Sequence, residues 1–276
     1  MTKIGAIQLD IKMGDKRTNL SNVLRWLDKI AKEKVDLVCF SEYVTTGCVA
    51  ERFEELAEPV PGPTTEELSR KAVEHNLYVF APIAEKDGGK YYSSCVCIDP
   101  SGRIVGKQRK VHLFGGPPRQ NEPRFVTSGK EYPIFQTKTA GKVGVLMDAD
   151  IDFPECTRIL ALKGAQTILV PLTAEYMYVD SCRVFAYASA LSNQVYVMLI
   201  NRVGSHAGFM YFGGSRVVSP LAQPIEVAAS IGDREGLITA CIDLEALDQL
   251  RKDAGSPFRN FHPETYGELE SLLLRK

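Results

Sequence analysis

Three apolar runs in this chain end in groups able to move protons or hold charge. Val35-Asp-Leu-Val-Cys39-Phe-Ser41-Glu42-Tyr43 reads as a buried strand that carries one carboxylate at its end. Gly102-Arg-Ile-Val-Gly106-Lys107-Gln108-Arg109-Lys110-Val111-His112-Leu113-Phe114 reads as a short strand that meets a basic cluster and then apolar residues. In Lys142-Val-Gly-Val-Leu-Met-Asp148-Ala149-Asp150-Ile-Asp152-Phe-Pro154-Glu155, an apolar run meets acids and then a Pro-Glu pair suited to a first helical turn, giving strand, sharp turn, helix. Asp148 therefore sits at the carboxyl end of a strand. Ligands gather at such ends in open α/β folds, and a helix N-terminus nearby favours negative charge.

The elements that must position these groups alternate along the chain. Strand-like runs at about 3–9, 36–40, 77–83, 91–98, 132–137, 142–147, 166–171, 195–201, 213–218 and 236–242 interleave with helical patterns at about 17–33, 64–75, 154–163 and 178–193. This βα alternation predicts the α/β class, and no linker divides the chain, so residues 1–276 read as one domain. The most loop-like stretch runs from Phe114 to Glu122. Loops from Phe114 to Arg124 and from Leu172 to Tyr178 are expected to shape a pocket, with Tyr176, Met177 and Tyr178 suggesting an apolar wall.

Bulk properties exclude several classes. With 276 residues, 45% hydrophobic, 24% charged and a net charge of -1, the chain can bury a large core and has no bias toward nucleic acid or anionic membrane. The apolar start Ile4-Gly-Ala-Ile7 breaks at Gln8 and Asp10, too short for a signal peptide, and no run reaches a membrane span of about 18 apolar residues. The seven cysteines are odd in number and scattered among apolar segments, which predicts reduced thiols in a cytoplasmic setting. Cys95 and Cys97 share a strand face without a second Cys or His pair nearby, and the four histidines show no ligand spacing. The alternating acids Asp148, Asp150 and Asp152 fail as a calcium loop, because Phe153 stands where Gly is needed and Ile159 where a bidentate Glu is needed. No metal and no cofactor are expected.

Strand-end Glu, Lys and a third reactive position, in this order, resemble the nitrilase superfamily of carbon-nitrogen hydrolases. The likeness runs along nearly the whole chain: Gly5-Ala-Ile-Gln8, Asp99-Pro-Ser-Gly-Arg-Ile-Val-Gly-Lys107, Arg109-Lys110-Val-His112-Leu-Phe114, Glu122 with Gly129, Phe153-Pro-Glu155, Asn193-Gln-Val-Tyr-Val197 and Asn201-Arg-Val-Gly204 all take part. It implies a four-layer α-β-β-α sandwich. It also implies Glu42 as general base, Lys110 on the oxyanion, and Glu122 and Ala149 in contact with the substrate. In the family a nucleophilic cysteine stands where this chain has Asp148. Such a cysteine attacks an amide or nitrile carbon and forms a thioester that water resolves. A carboxylate would instead form a mixed anhydride, well uphill of the amide, so the resemblance implies that thioester chemistry is lost. Cys156, the thiol nearest in sequence, is expected to point into packing, and His112 to pack or hydrogen-bond.

Further departures surround the position: Ser41 where proline is common, Asp152 where a basic residue is frequent, Ser189 and Ser192 where Arg and Glu often stand. Family members usually form dimers or larger homo-oligomers through the helical layer, and the helix from Tyr178 to Asn193 is expected at that surface. Three readings stay open. The chain binds a small amide-like or carboxylate-bearing ligand, or regulates a partner; it hydrolyses such a compound with Asp148 or Glu42 activating water and Lys110 on the oxyanion; or it serves assembly with a vestigial pocket.

Overall fold

The computed structural model describes residues 1–115, 121–227 and 234–274. Its strands are β1 (Thr2–Gln8), β2 (Leu37–Phe40), β3 (Tyr78–Asp87), β4 (Lys90–Ile98), β5 (Ile104–Arg109), β6 (Phe135–Gln136), β7 (Lys142–Val145), β8 (Thr167–Pro171), β9 (Tyr196–Ile200), β10 (Ser205–His206), β11 (Phe209–Met210), β12 (Arg216–Val218), β13 (Pro224–Val227) and β14 (Gly236–Ile242). The helices are α1 (Lys16–Ile30), α2 (Phe53–Leu56), α3 (Pro63–His75), α4 (Pro154–Leu162), α5 (Val179–Asn193), α6 (Leu244–Lys252) and α7 (Gly267–Leu273).

Each long helix starts and stops where its residues dictate. The Asp15 carboxylate accepts a hydrogen bond from the Thr18 amide at the start of α1, and Asp243 does the same for the Ala246 amide in α6. Pro63 and Pro154 occupy first-turn positions, where the missing N–H costs nothing. Asn76 and Gln194 end α3 and α5 in the left-handed region. In α1, Val23, Trp26, Leu27 and Ile30 fall on one buried face at helical spacing.

The strands form two six-stranded sheets of matching design. The first has the order β14-β1-β2-β3-β4-β5 and the second β13-β12-β9-β8-β7-β6. In both, three central strands run parallel, β1, β2, β3 in one and β7, β8, β9 in the other, with antiparallel strands outside them. Strands covered on both faces read as continuous apolar runs, as Leu37-Val-Cys-Phe40 and Tyr196-Val-Met-Leu-Ile200 do.

Alternation along each strand sends successive side chains to different cores. Cys39, Phe80, Cys95, Cys97, Val143, Leu169 and Met198 fill the space between the sheets. Val38, Phe40, Val79 and Val96 face α1 and α3, and Ile168, Val170, Val197 and Leu199 face α4 and α5. The result is the four-layer α-β-β-α sandwich, and Cys95 and Cys97 do share one strand face in its centre.

The element order matches the sequence reading with local corrections. The strand expected at 132–137 shrinks to two residues, because the Tyr132 hydroxyl turns to the buried Asp150 cluster described below. The helix expected to 33 ends at Ile30 and finishes as a tighter turn over Ala31–Glu33. Helices α6 and α7 lie beyond the last element read from the sequence. The loop-like assignment from Phe114 to Glu122 falls partly on 116–120, outside the described residues. Among the described residues no helix is long and apolar enough to cross a membrane.

Leu169 is fully buried between the sheets. Leu169→Ala is expected to cost about 2–5 kcal/mol in denaturant unfolding. A loss below about 1 kcal/mol would contradict a close-packed centre between the sheets.

Candidate functional site

Both sheets deliver charged side chains to the carboxyl ends of their parallel strands. Glu42 follows β2, Lys110 follows β5, Asp148 follows β7, and Glu122 sits in a short turn after the segment that leaves Lys110. The layers are stitched together there, since the Glu42 amide donates to the Leu172 carbonyl after β8 at 3.1 Å. The Lys110 amide donates to the Ser93 carbonyl at 2.8 Å and the Lys110 carbonyl accepts from the Gly129 amide at 2.7 Å. Glycine is required at 129 because a Cβ would lie 2.4 Å from the Arg109 carbonyl oxygen.

Lys110 is the centre of the cluster. Its Nζ lies 2.8 Å from Glu122 Oε2, 2.9 Å from Asp148 Oδ2 and 3.3 Å from Glu42 Oε1, and the Lys110 and Glu42 side chains are fully buried. The remaining donors converge on the carboxylates. Ser93 Oγ donates to Glu42 Oε1 at 2.7 Å, Tyr43 OH to Glu122 Oε1 at 2.8 Å, the Phe114 amide to Glu122 Oε2 at 2.7 Å, and the Thr173 amide to Asp148 Oδ1 at 3.3 Å. Glu42 Oε2 is buried with no hydrogen-bond partner among the described residues.

Three carboxylates around one ammonium cannot all ionise cheaply. Burial, with repulsion from Asp148 and Glu122 added, pushes the Glu42 carboxyl well above the ordinary glutamate range despite the attraction of Lys110. Burial alone would depress the Lys110 ammonium, but the charges of Asp148, Glu122 and Glu42 outweigh it and hold its pKa well above the usual lysine value. The cluster therefore favours the charged form of the lysine and disfavours the charged form of Glu42.

Asp148 itself sits in the left-handed region at φ 45°, uncommon for a residue with a side chain though Asp tolerates it better than most. What enforces this turn is Asp150, whose fully buried carboxylate accepts from the Met147 amide at 3.2 Å and the His112 amide at 2.7 Å, with the Val111 amide at 3.2 Å. One side chain thereby fixes the strand end that carries Asp148 against the segment that carries Lys110. His112 completes the support, with Nδ1 3.0 Å from Asp150 Oδ1 and its ring stacked on Phe153 at 3.7 Å. Of the alternating acids, Asp150 is thus committed to backbone donors.

A cavity of ≈ 310 Å³ opens beside Asp148. Glu122, Asp148, Ala149, Asp152, Thr173, Glu175, Phe114, Tyr178, Phe185 and Tyr211 line it, with the thiols of Cys48 and Cys182. Of the aromatic run considered from sequence, Tyr178 reaches the wall, while Tyr176 and Met177 are exposed. Burial pushes the Cys182 thiol up to about 12 and the Cys48 thiol well above its ordinary value, so neither supplies a thiolate at neutral pH. Cys156 is buried in the packing of α4, its Sγ 3.0 Å from Tyr132 OH, with burial raising its pKa to about 11.

Residues 3–252 match the sequence profile described as carbon-nitrogen hydrolase. This chain belongs to the carbon-nitrogen hydrolase family. A nitrilase of Pyrococcus abyssi is 32% identical over 272 residues, covering 96% of this chain and 99% of that protein. The omega-amidase NIT2 of Xenopus tropicalis is 32% identical over 247 residues, covering 86% and 87%. Among solved structures, Saccharomyces cerevisiae Nit3, a member of branch 10 of the nitrilase superfamily, aligns with a TM-score of 0.83 at 26% identity, covering 92% of this chain and 94% of that one.

The structure brings Glu42, Lys110, Asp148, Glu122 and Ala149 to one place. Sequence reasoning did not single out Ser93, Thr173, Cys48 or Cys182. Ser93 had a signal in the pair Ser93-Ser94, two hydroxyls inside the otherwise apolar run of β4. Thr173 fell within the loop from Leu172 to Tyr178 that was expected to shape the pocket, while the two thiols had no signal, since only the chain path brings them to the cavity. Of the departures noted above, Asp152 lines the cavity, the Ser41 hydroxyl is buried without a partner among the described residues, Ser189 Oγ lies 3.2 Å from Thr157 Oγ1, and Ser192 is exposed.

Two outcomes follow for this cluster. Removing the Asp150 carboxylate strands several backbone donors, so Asp150→Ala is expected to cost about 3 kcal/mol or more in urea unfolding, and a loss under about 1 kcal/mol would remove its pinning role. Solvent reaches Asp152 at the cavity mouth, yet the protein packed around its carboxyl, then the charge of Asp148, pushes its pKa up to about 6. A carbon-detected NMR titration should find the Asp152 midpoint near that value and a lower one in Asp148→Asn; an unchanged midpoint in the variant would show that Asp148 does not act on it.

Proposed function

We propose that this chain is a carbon-nitrogen hydrolase homologue that binds a small amide-like compound beside Asp148 and no longer forms a thioester. The observation that carries the reading is the engagement of both Asp148 oxygens, one by Lys110 Nζ and the other by the Thr173 amide. A positive group and a backbone N–H held near one another are donors of the kind a developing oxyanion needs. Here the carboxylate of Asp148 occupies them. An ion-paired carboxylate is a weak nucleophile, and the anhydride it would form from an amide lies uphill.

The protonation pattern supports the same reading. A general base must be ionised to take a proton, and burial together with the neighbouring carboxylates works against ionisation of Glu42 by raising its pKa well above the ordinary glutamate range. Asp148 therefore has two effects. It removes the attacking sulfur that the family resemblance implies, and it weakens the base that would have activated one.

The test is ammonia release from short amides, N-carbamoyl compounds and nitriles by the native chain and by Asp148→Asn and Asp148→Cys. The expected result is no release above background from the native chain and measurable release from Asp148→Cys. That change supplies a thiol, removes one charge raising the Glu42 pKa, takes one of three carboxylates off Lys110 and releases the Thr173 amide. Turnover by the native chain that disappears in Asp148→Asn would overturn the proposal and establish a water-activated hydrolase.

A further inference from the structure

We propose that the compound held in this cavity is a neutral amide whose acyl part is apolar and ends in an aromatic ring, seated along one face of α5. The inference rests on the pocket reading above and adds the ligand's chemical class to it. Four cavity-lining residues, Tyr178, Ser181, Cys182 and Phe185, recur at the three- and four-residue spacing of a single helix face. Tyr178 closes the short turn that leads into α5, so the stripe covers about two turns, roughly 10 Å. Its side chains are large at both ends and small between, which leaves room for a flat group beside the two rings. Both rings are only partly covered by the protein, so aromatic surface stays wet until a ligand covers it.

The rest of the wall continues the stripe. Phe114 meets Tyr178 edge-on with ring centroids 6.0 Å apart, and Ile151, Leu172 and Ala174 add aliphatic surface. Cys182 belongs with them, because a thiol whose burial lifts its pKa to about 12 stays neutral and packs as a small apolar group. The charged lining groups offer little to a charged acyl end. Lys110, Tyr43 and the Phe114 and Thr173 amides hold Glu122 and Asp148, and Glu175 is itself engaged. Asp152 is exposed, so water already solvates it and an ammonium would gain little there. None of the described lining residues is lysine or arginine, so a carboxylate would lose its water without a counter-charge.

Three amides separate the possibilities: 3-phenylpropanamide with an aromatic end, butanamide with a short apolar end, and succinamate with a carboxylate end. Calorimetric titration of the native chain is expected to show 3-phenylpropanamide binding about tenfold tighter than butanamide, since the ring buries more apolar surface, with succinamate weakest. Repeating the titration at several temperatures should give the aromatic amide the more negative heat-capacity change, the mark of apolar surface leaving water. Phe185→Ala should reduce the ratio of the first two affinities about fivefold through the loss of one ring contact. An unchanged ratio in a Phe185→Ala protein that melts as a cooperative unit would overturn the seat on α5. Butanamide bound as well as 3-phenylpropanamide, or succinamate bound tightest, would overturn the inference and leave the pocket reading standing. Absence of binding by all three would overturn both.

Discussion

The whole arrangement turns on one ammonium buried among three carboxylates. Taking Lys110 and Glu42 fully out of water costs several kcal/mol per ion, and only close partners offset that. The partners come from different layers: Glu42 and Lys110 from strand ends of one sheet, Asp148 from the other. Neither sheet alone could bury these groups, so the sandwich and the ion cluster are conditions for each other. Removing Lys110 would leave carboxylates buried without their counter-charge, a far worse state than never having buried them.

Around this cluster the polar groups are arranged in depth. Ser93 donates to Glu42, Tyr43 and the Phe114 amide donate to Glu122, Asp150 holds the two strand-end segments in register, and His112 with Phe153 braces Asp150 from outside. The left-handed backbone at Asp148 fits within this scheme. A non-glycine residue held there is typically strained by about 1–3 kcal/mol, and such strain persists where surrounding contacts determine it. Here the determining contact is the hydrogen bonding of Asp150 to the backbone on both sides of the site.

Much of this was legible in the amino-acid order, and the remainder was hidden for physical reasons. Apolar runs ending in Glu42 and Asp148 marked the parallel strands, because strands buried on both faces leave a continuous hydrophobic signature. Pro154 and Glu155 marked the start of the helix after Asp148. The short strands β6 and β12 were overdrawn at their amino ends, where the Tyr132 hydroxyl is directed to Asp150 and where Gly213 and Gly214 turn with positive φ before Arg216 begins to pair. Helix α6 escaped notice although Asp243 caps it and Leu247 anchors it, because a nine-residue amphipathic segment near the end of a chain carries little periodic signal. The make-up of the cavity wall was the least legible property. It depends on Glu122, Asp148 and Asp152 facing a common space with Tyr178 and Phe185, which separation along the chain does not encode.

The cavity volume has a consequence for solvent. At roughly 30 Å³ for each water in the liquid, ≈ 310 Å³ corresponds to about ten molecules. They are not equivalent. Those against Tyr178, Phe185 and Tyr211 find few hydrogen-bond partners and are readily given up, whereas those solvating Asp148 and Asp152 are held by charge and leave only for something that replaces their hydrogen bonds. Occupancy of the aromatic side therefore sets how readily any molecule enters, and the cost of drying the acidic side sets which molecule stays.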